Sequence, residues 1–206
     1  MVLSSPSGGG KTSIARRLLA ERADLAYSVS ATTRTRRPGE VDGNDYHFLS
    51  RPEFERRAAV GDFLEWAEYG ANLYGTLRSA VDNGIETGRH VVLDIEVKGA
   101  DQLRATYPNA IHVFVLPPSV AELVRRLENR GTEDPGVVQR RLKIAAEELA
   151  VVGKYDYVVV NDDLAAAVRR VGEIIDAEAA RPRRLKNLTT MVNVIRGALV
   201  AELHQQ

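Results

Sequence analysis

A chain of 206 residues with 28 acidic and 28 basic side chains has room for one or two domains and carries no formal net charge. Zero net charge argues against a nonspecific nucleic-acid binder, and the lack of cysteine excludes a disulfide framework and thiolate metal sites. No apolar run approaches the roughly 20 residues that span a membrane, and the start shows no signal-peptide pattern, so we expect a cytoplasmic protein.

Apolar, β-rich runs alternate with helical patterns along most of the chain. Four runs stand out, MVL at residue 1, HVVLDI at 90, AIHVFVL at 110 and YDYVVV at 155, and a fifth candidate is AYSVS at 26. Such continuous runs are typical of strands buried on both faces of a parallel sheet. Helical patterns cover Thr12 to Arg22, Lys98 to Thr106, Ser119 to Asn129 and Leu164 to Ala180. The alternation predicts an α/β fold with a central parallel sheet flanked by helices.

Two segments interrupt this rhythm and one follows it. Turn signals and clustered aromatic residues in 33–88 predict an inserted α+β subdomain, and an irregular piece between arginine-rich helices predicts a small lid at about 126–146. The core is then formed by 1–32 and 89–180. The tail, 181–206, is predicted to form an amphipathic helical extension. Such a helix either packs on its own domain or forms a surface for a partner or for self-association. Its apolar residues, spaced by three and four, are Leu185, Leu188, Val192, Ile195, Leu199 and Leu203.

The stretch SSPSGGGKTS, which begins at Ser4, has the form of a phosphate-binding loop. Gly10-Lys11-Thr12 match the end of the pattern GxxxxGK[ST], and Ser5 stands where the first glycine is usual. Serine is tolerated there if its φ is negative. Glycines let several backbone N–H groups face one anion, and the following helix adds its positive end. The residues predicted to bind ATP are Ser5, Pro6, Ser7, Gly8, Gly9, Gly10, Lys11 and Thr12.

Within this loop, Lys11 is predicted to meet the outer phosphates of a nucleoside triphosphate, and Thr12 to hold Mg²⁺. Asp94 ends an apolar strand, at the edge where open α/β sheets bind ligands, and is predicted to hold the metal through water. The alternatives are a flexible surface turn for the loop and a helix cap for Asp94. The order of strand, loop and helix favours an enzyme that uses ATP or GTP, and no base-reading motif of switch GTPases is present.

The stretch SVSATTRTRRPGEVDGNDYHF, from Ser28 to Phe48, places hydroxyls beside arginines that can grip a phosphate through two hydrogen bonds. Further along the chain come FLEWAEYGANLYGT, LDIEVKGA, VLPPS, RRLENRGTED and YDYVVVNDD. With these motifs, in order from Val2 to about Ala180, the sequence resembles the bacterial-type guanylate kinases. The resemblance implies a P-loop kinase that transfers a phosphoryl group from ATP to GMP, and also to dGMP, with Mg²⁺. The resemblance also implies that this reaction serves purine nucleotide metabolism and GMP recycling.

The resemblance also implies roles for individual residues. It assigns the GMP phosphate to Arg34, Arg37, Tyr46 and Tyr74, with Ser30 nearby, and guanine to Glu65, Thr76 and Glu96. Asp94 is also counted with the GMP site. The family usually has aspartate at position 96. The catalytic residues are then Lys11, Arg37, Asp94 and the lid arginines Arg126, Arg130 and Arg141, which meet the ATP phosphates and the transferring group. Asn161 either lies near adenine or has a role in a turn or as a helix N-cap. Arg125 and Arg140 are expected to be surface residues.

Two other functions stay open at this stage. A kinase for AMP or UMP is disfavoured because a carboxylate at position 65 and a hydroxyl at position 76 complement the N1–H, the N2 amine and the O6 of guanine. A binding module without activity is disfavoured by Lys11, Thr12 and the lid arginines. The four histidines show no ligand spacing. The expected partners are ATP and GMP, not nucleic acid or a membrane, with a possible homo-oligomer through the C-terminal helix.

Overall fold

The computed structural model describes residues 1–128 and 135–204. The strands in these ranges are β1 (Val2–Ser4), β2 (Leu25–Tyr27), β3 (Ser30–Thr32), β4 (His47–Phe48), β5 (Phe63–Tyr69), β6 (Asn72–Leu77), β7 (His90–Asp94), β8 (His112–Leu116) and β9 (Tyr157–Val160). The helices are α1 (Lys11–Glu21), α2 (Arg51–Ala59), α3 (Arg78–Glu86), α4 (Val97–Thr106), α5 (Val120–Glu128), α6 (Pro135–Leu149), α7 (Leu164–Ala179) and α8 (Leu188–Leu203).

The four apolar runs and the first residues of the fifth candidate, AYSVS, form one parallel sheet in the order β2-β7-β1-β8-β9. The last residue of that candidate, Ser30, belongs to β3 of a second sheet. β1 lies in the middle, where Val2 pairs with Leu93 on one side and with His112 on the other. Val2 and Leu3 are fully buried. Helices α1, α3 and α4 pack against the strands, so apolar side chains are needed on both faces. The predicted α/β fold with a central parallel sheet is confirmed.

The second sheet has the order β4-β3-β6-β5. Three of its strands lie in the predicted insert, whereas β3 (Ser30–Thr32) lies before the predicted start of the insert at residue 33. β6 is antiparallel to both β3 and β5, and β4 is parallel to β3. Phe54 of α2 stacks on Phe63 of β5 with ring centroids 4.4 Å apart, which builds a small separate core. The side chain of Gln102 on α4 hydrogen-bonds to both backbone groups of Trp66 on β5. The second sheet is thereby tied to the helix that follows β7.

The chain divides into two compact units, Met1–Val171 and Gly172–Gln206. The predicted boundaries between core, insert, lid and tail stay predictions. In the second unit the carboxylate of Glu178 is buried and pairs with Arg181, Arg183 and Arg184. The helix expected in the tail is α8, and large apolar side chains along it are exposed. Within the described ranges, the structure has no helix both long and apolar enough to cross a membrane.

Candidate active site

The phosphate loop connects the end of β1 to the start of α1. Gly8 and Gly10 have φ angles of +85° and +94°, which a residue with a side chain rarely adopts. No residue other than glycine has a positive φ in the part of the chain that the structure describes, so Ser5 meets the condition set by the sequence. A Cβ built on Gly9 lies 2.7 Å from the Cβ of Ser5. The loop therefore has the tight curl that its glycines predict.

The outer side of the loop is held by Arg126 and Asn161. The carbonyl oxygen of Gly9 accepts hydrogen bonds from Asn161 Nδ2 at 2.9 Å and from Arg126 Nη1 at 3.2 Å. Arg126 also donates to the backbone carbonyl of Asn161 at 3.0 Å and to the carboxylate of Glu122 at 2.6 Å. Arg126 and Asn161 therefore both lie at the loop, and the roles that the resemblance gives them stay predictions.

Lys11, the first residue of α1, is paired with two acids. Its Nζ lies 2.8 Å from Glu96 Oε1 and 3.5 Å from Asp94 Oδ1. Burial alone would lower the pKa of Lys11, but the carboxylates of Glu96 and Asp94 outweigh it and raise the pKa well above its ordinary value. The lysine is therefore a permanent cation at the mouth of the loop.

Thr12 and Asp94 bring a hydroxyl and a carboxylate together at the same place. Thr12 Oγ1 donates a hydrogen bond to Asp94 Oδ2 at 2.6 Å. Mg²⁺ prefers oxygen ligands and is commonly held by one or two protein oxygens together with phosphates and water. No cluster of three or more metal-binding side chains occurs among residues 1–128 and 135–204. The donor set at Thr12 and Asp94 fits an ion that enters with a nucleotide.

A basic and aromatic group lies on the second sheet. Arg34 forms a two-pronged ion pair with Glu40, with N–O distances of 2.7 and 3.0 Å, and its guanidinium lies 5.4 Å from the ring centroid of Tyr46. Tyr46 meets Tyr74 edge to face at 6.0 Å. The ion pair and the ring fix the orientation of Arg34, and this arrangement suits an incoming phosphate.

A buried carboxylate faces the first turn of α4. Glu65 on β5 is 5% exposed, and its Oε1 accepts a hydrogen bond from Thr76 Oγ1 on β6 at 2.5 Å. Burial raises the pKa of Glu65 to about 6, against the lowering effect of the hydrogen bonds from Thr76. A Cβ on Gly99 would overlap the other carboxylate oxygen of Glu65. Glycine at position 99 therefore gives this carboxylate its room.

These groups open onto one cavity of about 590 Å³. It is lined by most of the residues that the sequence singled out: Ser7, Lys11, Thr12, Ser30, Arg34, Arg37, Tyr46, Glu65, Tyr74, Asp94, Glu96 and Arg141. Thr76 lies directly behind Glu65, and Arg126 and Asn161 lie behind the loop. Arg140 is exposed next to Arg141, as expected, and Arg125 is paired with Glu122 on the surface. Arg130 lies outside the described residues.

Sequence reasoning missed Tyr69, Gly99 and Glu148. Tyr69 and Glu148 line the cavity, and burial together with the nearby carboxylate of Glu96 raises the pKa of Glu148 to about 7. Gly99 lies in the motif LDIEVKGA, in which only the two acids, Asp94 and Glu96, were assigned to the site. Glu148 follows Glu147 in an ordinary helical pattern, so no local signal separates the buried acid from its exposed neighbour.

A phosphate loop with a lysine and a Thr–Asp pair lies on one side of the cavity. A second sheet with arginine, two tyrosines and a buried carboxylate lies on the other. One side suits the phosphates of a nucleoside triphosphate, and the other suits the phosphate and base of a second nucleotide. The fold and the site together define a P-loop nucleoside monophosphate kinase.

The chain belongs to the guanylate kinase family, since the family model for guanylate kinase matches residues 1–178. The guanylate kinase of Symbiobacterium thermophilum is 48% identical over 204 residues, which covers 98% of this chain and 96% of the relative. That of Rubrobacter xylanophilus is 51% identical over 175 residues, or 85% and 92% of the two chains. The crystal structure of guanylate kinase from Anaplasma phagocytophilum superposes with a TM-score of 0.78 at 33% identity, over 94% of this chain and 92% of that one.

Proposed function

We propose that the chain transfers the γ-phosphoryl group of ATP to GMP, giving ADP and GDP, and that it also accepts dGMP. The observation that carries this proposal is the buried Glu65–Thr76 pair, which lies on the same cavity as Lys11 of the phosphate loop. Membership of the guanylate kinase family supports it. The reaction belongs to purine nucleotide metabolism and returns GMP to the diphosphate pool. The cytoplasm is the compartment we propose, since ATP and GMP are available together there.

The base is read by Glu65 and Thr76. Guanine presents N1–H and the N2 amine side by side, and one carboxylate can accept a hydrogen bond from each. The hydroxyl of Thr76 can donate to O6, which adenine lacks. Glu96 is the further acid that we assign to guanine, once it leaves Lys11. A buried carboxylate that finds its donors in guanine would face an acceptor in adenine, and this mismatch disfavours AMP.

The GMP phosphate is bound on the second sheet. Arg34 and Arg37 supply cations, and Tyr46, Tyr74 and Ser30 supply hydroxyl donors around the same part of the cavity. The pair between Arg34 and Glu40 holds the guanidinium ready, so little side-chain freedom is lost on binding. This grip directs one oxygen of the phosphate toward the loop.

In the transfer step that oxygen attacks the γ-phosphorus of ATP, and the bond from this phosphorus to the oxygen bridging to the β-phosphate breaks. Negative charge spreads over the transferring group and the leaving ADP. Lys11 moves from Glu96 to the outer phosphates, and the arginines assigned to the transferring group are Arg37, Arg126, Arg130 and Arg141. Mg²⁺, held at Thr12 and through water at Asp94, would supply further charge neutralisation on the ATP phosphates. Asn161 is assigned to the neighbourhood of adenine.

A nucleotide panel tests this proposal. We expect ADP formation from ATP with GMP and dGMP, and at least about tenfold lower kcat/KM with AMP, UMP and CMP, because only guanine matches the hydrogen-bonding groups of Glu65 and Thr76. EDTA should stop the reaction, and added Mg²⁺ should restore it. Equal rates with GMP and AMP, or full activity without a divalent metal, would contradict the proposal.

We further propose that α8 brings two copies of the chain together. Met191, Ile195, Leu199 and Leu203 are each more than half exposed, with relative exposures of 60%, 58%, 60% and 73%. Within α8, the spacing of three and four from Leu188 to Leu203 places an apolar stripe along one side of the helix, as in paired helices. A second copy can cover this stripe with an identical one.

Light scattering coupled to size exclusion checks this self-association. The wild-type chain should have the mass of a dimer or a larger oligomer, and Ile195→Lys combined with Leu199→Lys should give the monomer mass, because burying two lysines costs more than the contact provides. Thr190→Lys adds one of these charges at a polar exposed position of the same helix and should leave the mass unchanged. A wild-type chain that stays monomeric at high concentration would rule out α8 as a dimer surface.

A further inference from the structure

Glu148 is a buried acid of α6 to which the proposed reaction gives no role. The residue is 7% exposed and lines the cavity together with Arg141. Arg141 precedes it by about two turns of the same helix, so both side chains lie on one face of α6. A helix that presents an acid and a cation to one cavity fixes the positions of both together.

The carboxylate of Glu148 is bonded to the phosphate loop. Its Oε2 accepts the backbone N–H of Ser7 at 3.1 Å. Ser7 stands directly before Gly8, where the chain takes its left-handed turn. A partly buried N–H that loses its acceptor costs free energy, so this bond favours one distance between α6 and the loop. Arg126 and Asn161 hold the loop at Gly9 through other elements, whereas Glu148 holds it through the helix that carries Arg141.

The carboxyl of Glu148 also has a second neighbour, the carboxylate of Glu96. The carboxyl of Glu148 lies against that of Glu96, whose Oε2 is buried and meets no hydrogen-bond donor in the described part of the chain. A glutamine at position 148 could accept from Ser7 with its amide oxygen and donate to Glu96 with its amide N–H. A methionine would fill a similar volume and do neither.

We propose that Glu148 is a positioning residue for phosphoryl transfer, whose hydrogen bond from Ser7 holds α6, and with it Arg141, at working distance from phosphates bound in the loop. The inference rests on the proposed roles of the loop and of Arg141. Phosphoryl transfer depends on placed charges rather than on covalent chemistry of the protein, and a displacement of about 1 Å can slow such a step by about 100-fold.

The test compares three substitutions at one position. Glu148→Ala should lower kcat about tenfold or more, because Arg141 is displaced from the transferring group. The KM for GMP should stay within about twofold, because the GMP site on the second sheet is intact. Glu148→Gln should retain most of the wild-type kcat, and Glu148→Met should be as slow as the alanine variant. Lys143→Ala, exposed on the same helix, serves as the unaffected control.

A double-mutant cycle with Arg141→Ala tests whether Glu148 acts through the arginine. If it does, Glu148→Ala should cost little further kcat in the Arg141→Ala background. Thermal unfolding and GMP calorimetry establish that each variant folds. If Glu148→Ala does not fold, the comparison of Glu148→Gln with Glu148→Met tests the positioning role. Wild-type kcat in Glu148→Met, or full additivity in the cycle, overturns the positioning role. A wild-type chain that fails to phosphorylate GMP would refute the proposed function instead.

Discussion

Lys11→Ala should abolish most phosphoryl transfer, by about 100-fold or more in kcat, while GMP still binds. Lys11 stands at the start of α1, where it is held at 2.8 Å from Glu96 and 3.5 Å from Asp94. The lysine is charged before ATP arrives, and it has to exchange Glu96 for the outer phosphates of ATP. The residues that we assign to GMP are other lining residues of the cavity, among them Arg34 and Glu65.

Steady-state kinetics with ATP and GMP, together with calorimetry of GMP alone, measures both halves of this prediction. Lys11→Met keeps the apolar stem and should be as slow as the alanine variant, which separates the loss of charge from the loss of packing. Lys186→Ala, an exposed lysine outside the loop, should behave as the wild type. Near-normal turnover in Lys11→Met would show that the loop does not bind the transferring phosphates.

Glu65→Gln should lower kcat/KM for GMP at least about tenfold and narrow the preference for GMP over AMP. The substitution turns one acceptor oxygen of a buried carboxylate into a donor amide of nearly the same shape, so that a donor faces a donor of guanine. An unmatched buried polar group costs about 1–3 kcal/mol. AMP, which has an acceptor at N1, should lose less or gain.

Thr76→Val provides a matched second variant for the guanine site. It removes the hydroxyl that donates to Glu65 at 2.5 Å, with little change in volume. We expect it to narrow the GMP preference further because the donor for O6 is lost. The measurement is kcat/KM for both nucleotides in the wild type and in each variant. If Glu65→Gln retains the full preference for GMP, other residues read the base.

The parallel sheet and the phosphate loop could be predicted because their signals are local. Four continuous apolar runs and a fifth candidate predicted the strands of the sheet. The order of strand, glycines, lysine and threonine predicted the loop before α1. Side chains at the carboxyl ends of parallel strands meet at one edge, so Asp94 could be placed near Lys11 from its position alone. The residues assigned to GMP in the insert were predicted from the resemblance of their motifs to those of guanylate kinases.

The partners of individual side chains could not be predicted, because they depend on packing between distant segments. Glu148 reaches Ser7 across 141 positions of the chain, and nothing near it in sequence distinguishes it from Glu147. The pairing of Lys11 with Glu96 depends on how far a glutamate reaches from the start of α4. The space that Gly99 leaves for Glu65 exists only after β5 packs on α4.

The crowding between Ser5 and Gly9 links two positions of the phosphate loop that sequence patterns treat as independent. A Cβ built on Gly9 would lie 2.7 Å from the Cβ of Ser5, so the loop has room for a side chain at only one of these two positions. The usual pattern has glycine at its first position, which corresponds to position 5 here. This chain has a serine there, whose side chain occupies the space, so position 9 has to be glycine. Among relatives, a side chain at either position should therefore coincide with glycine at the other. Substitutions that enlarge position 9 become compatible with the loop only when position 5 returns to glycine.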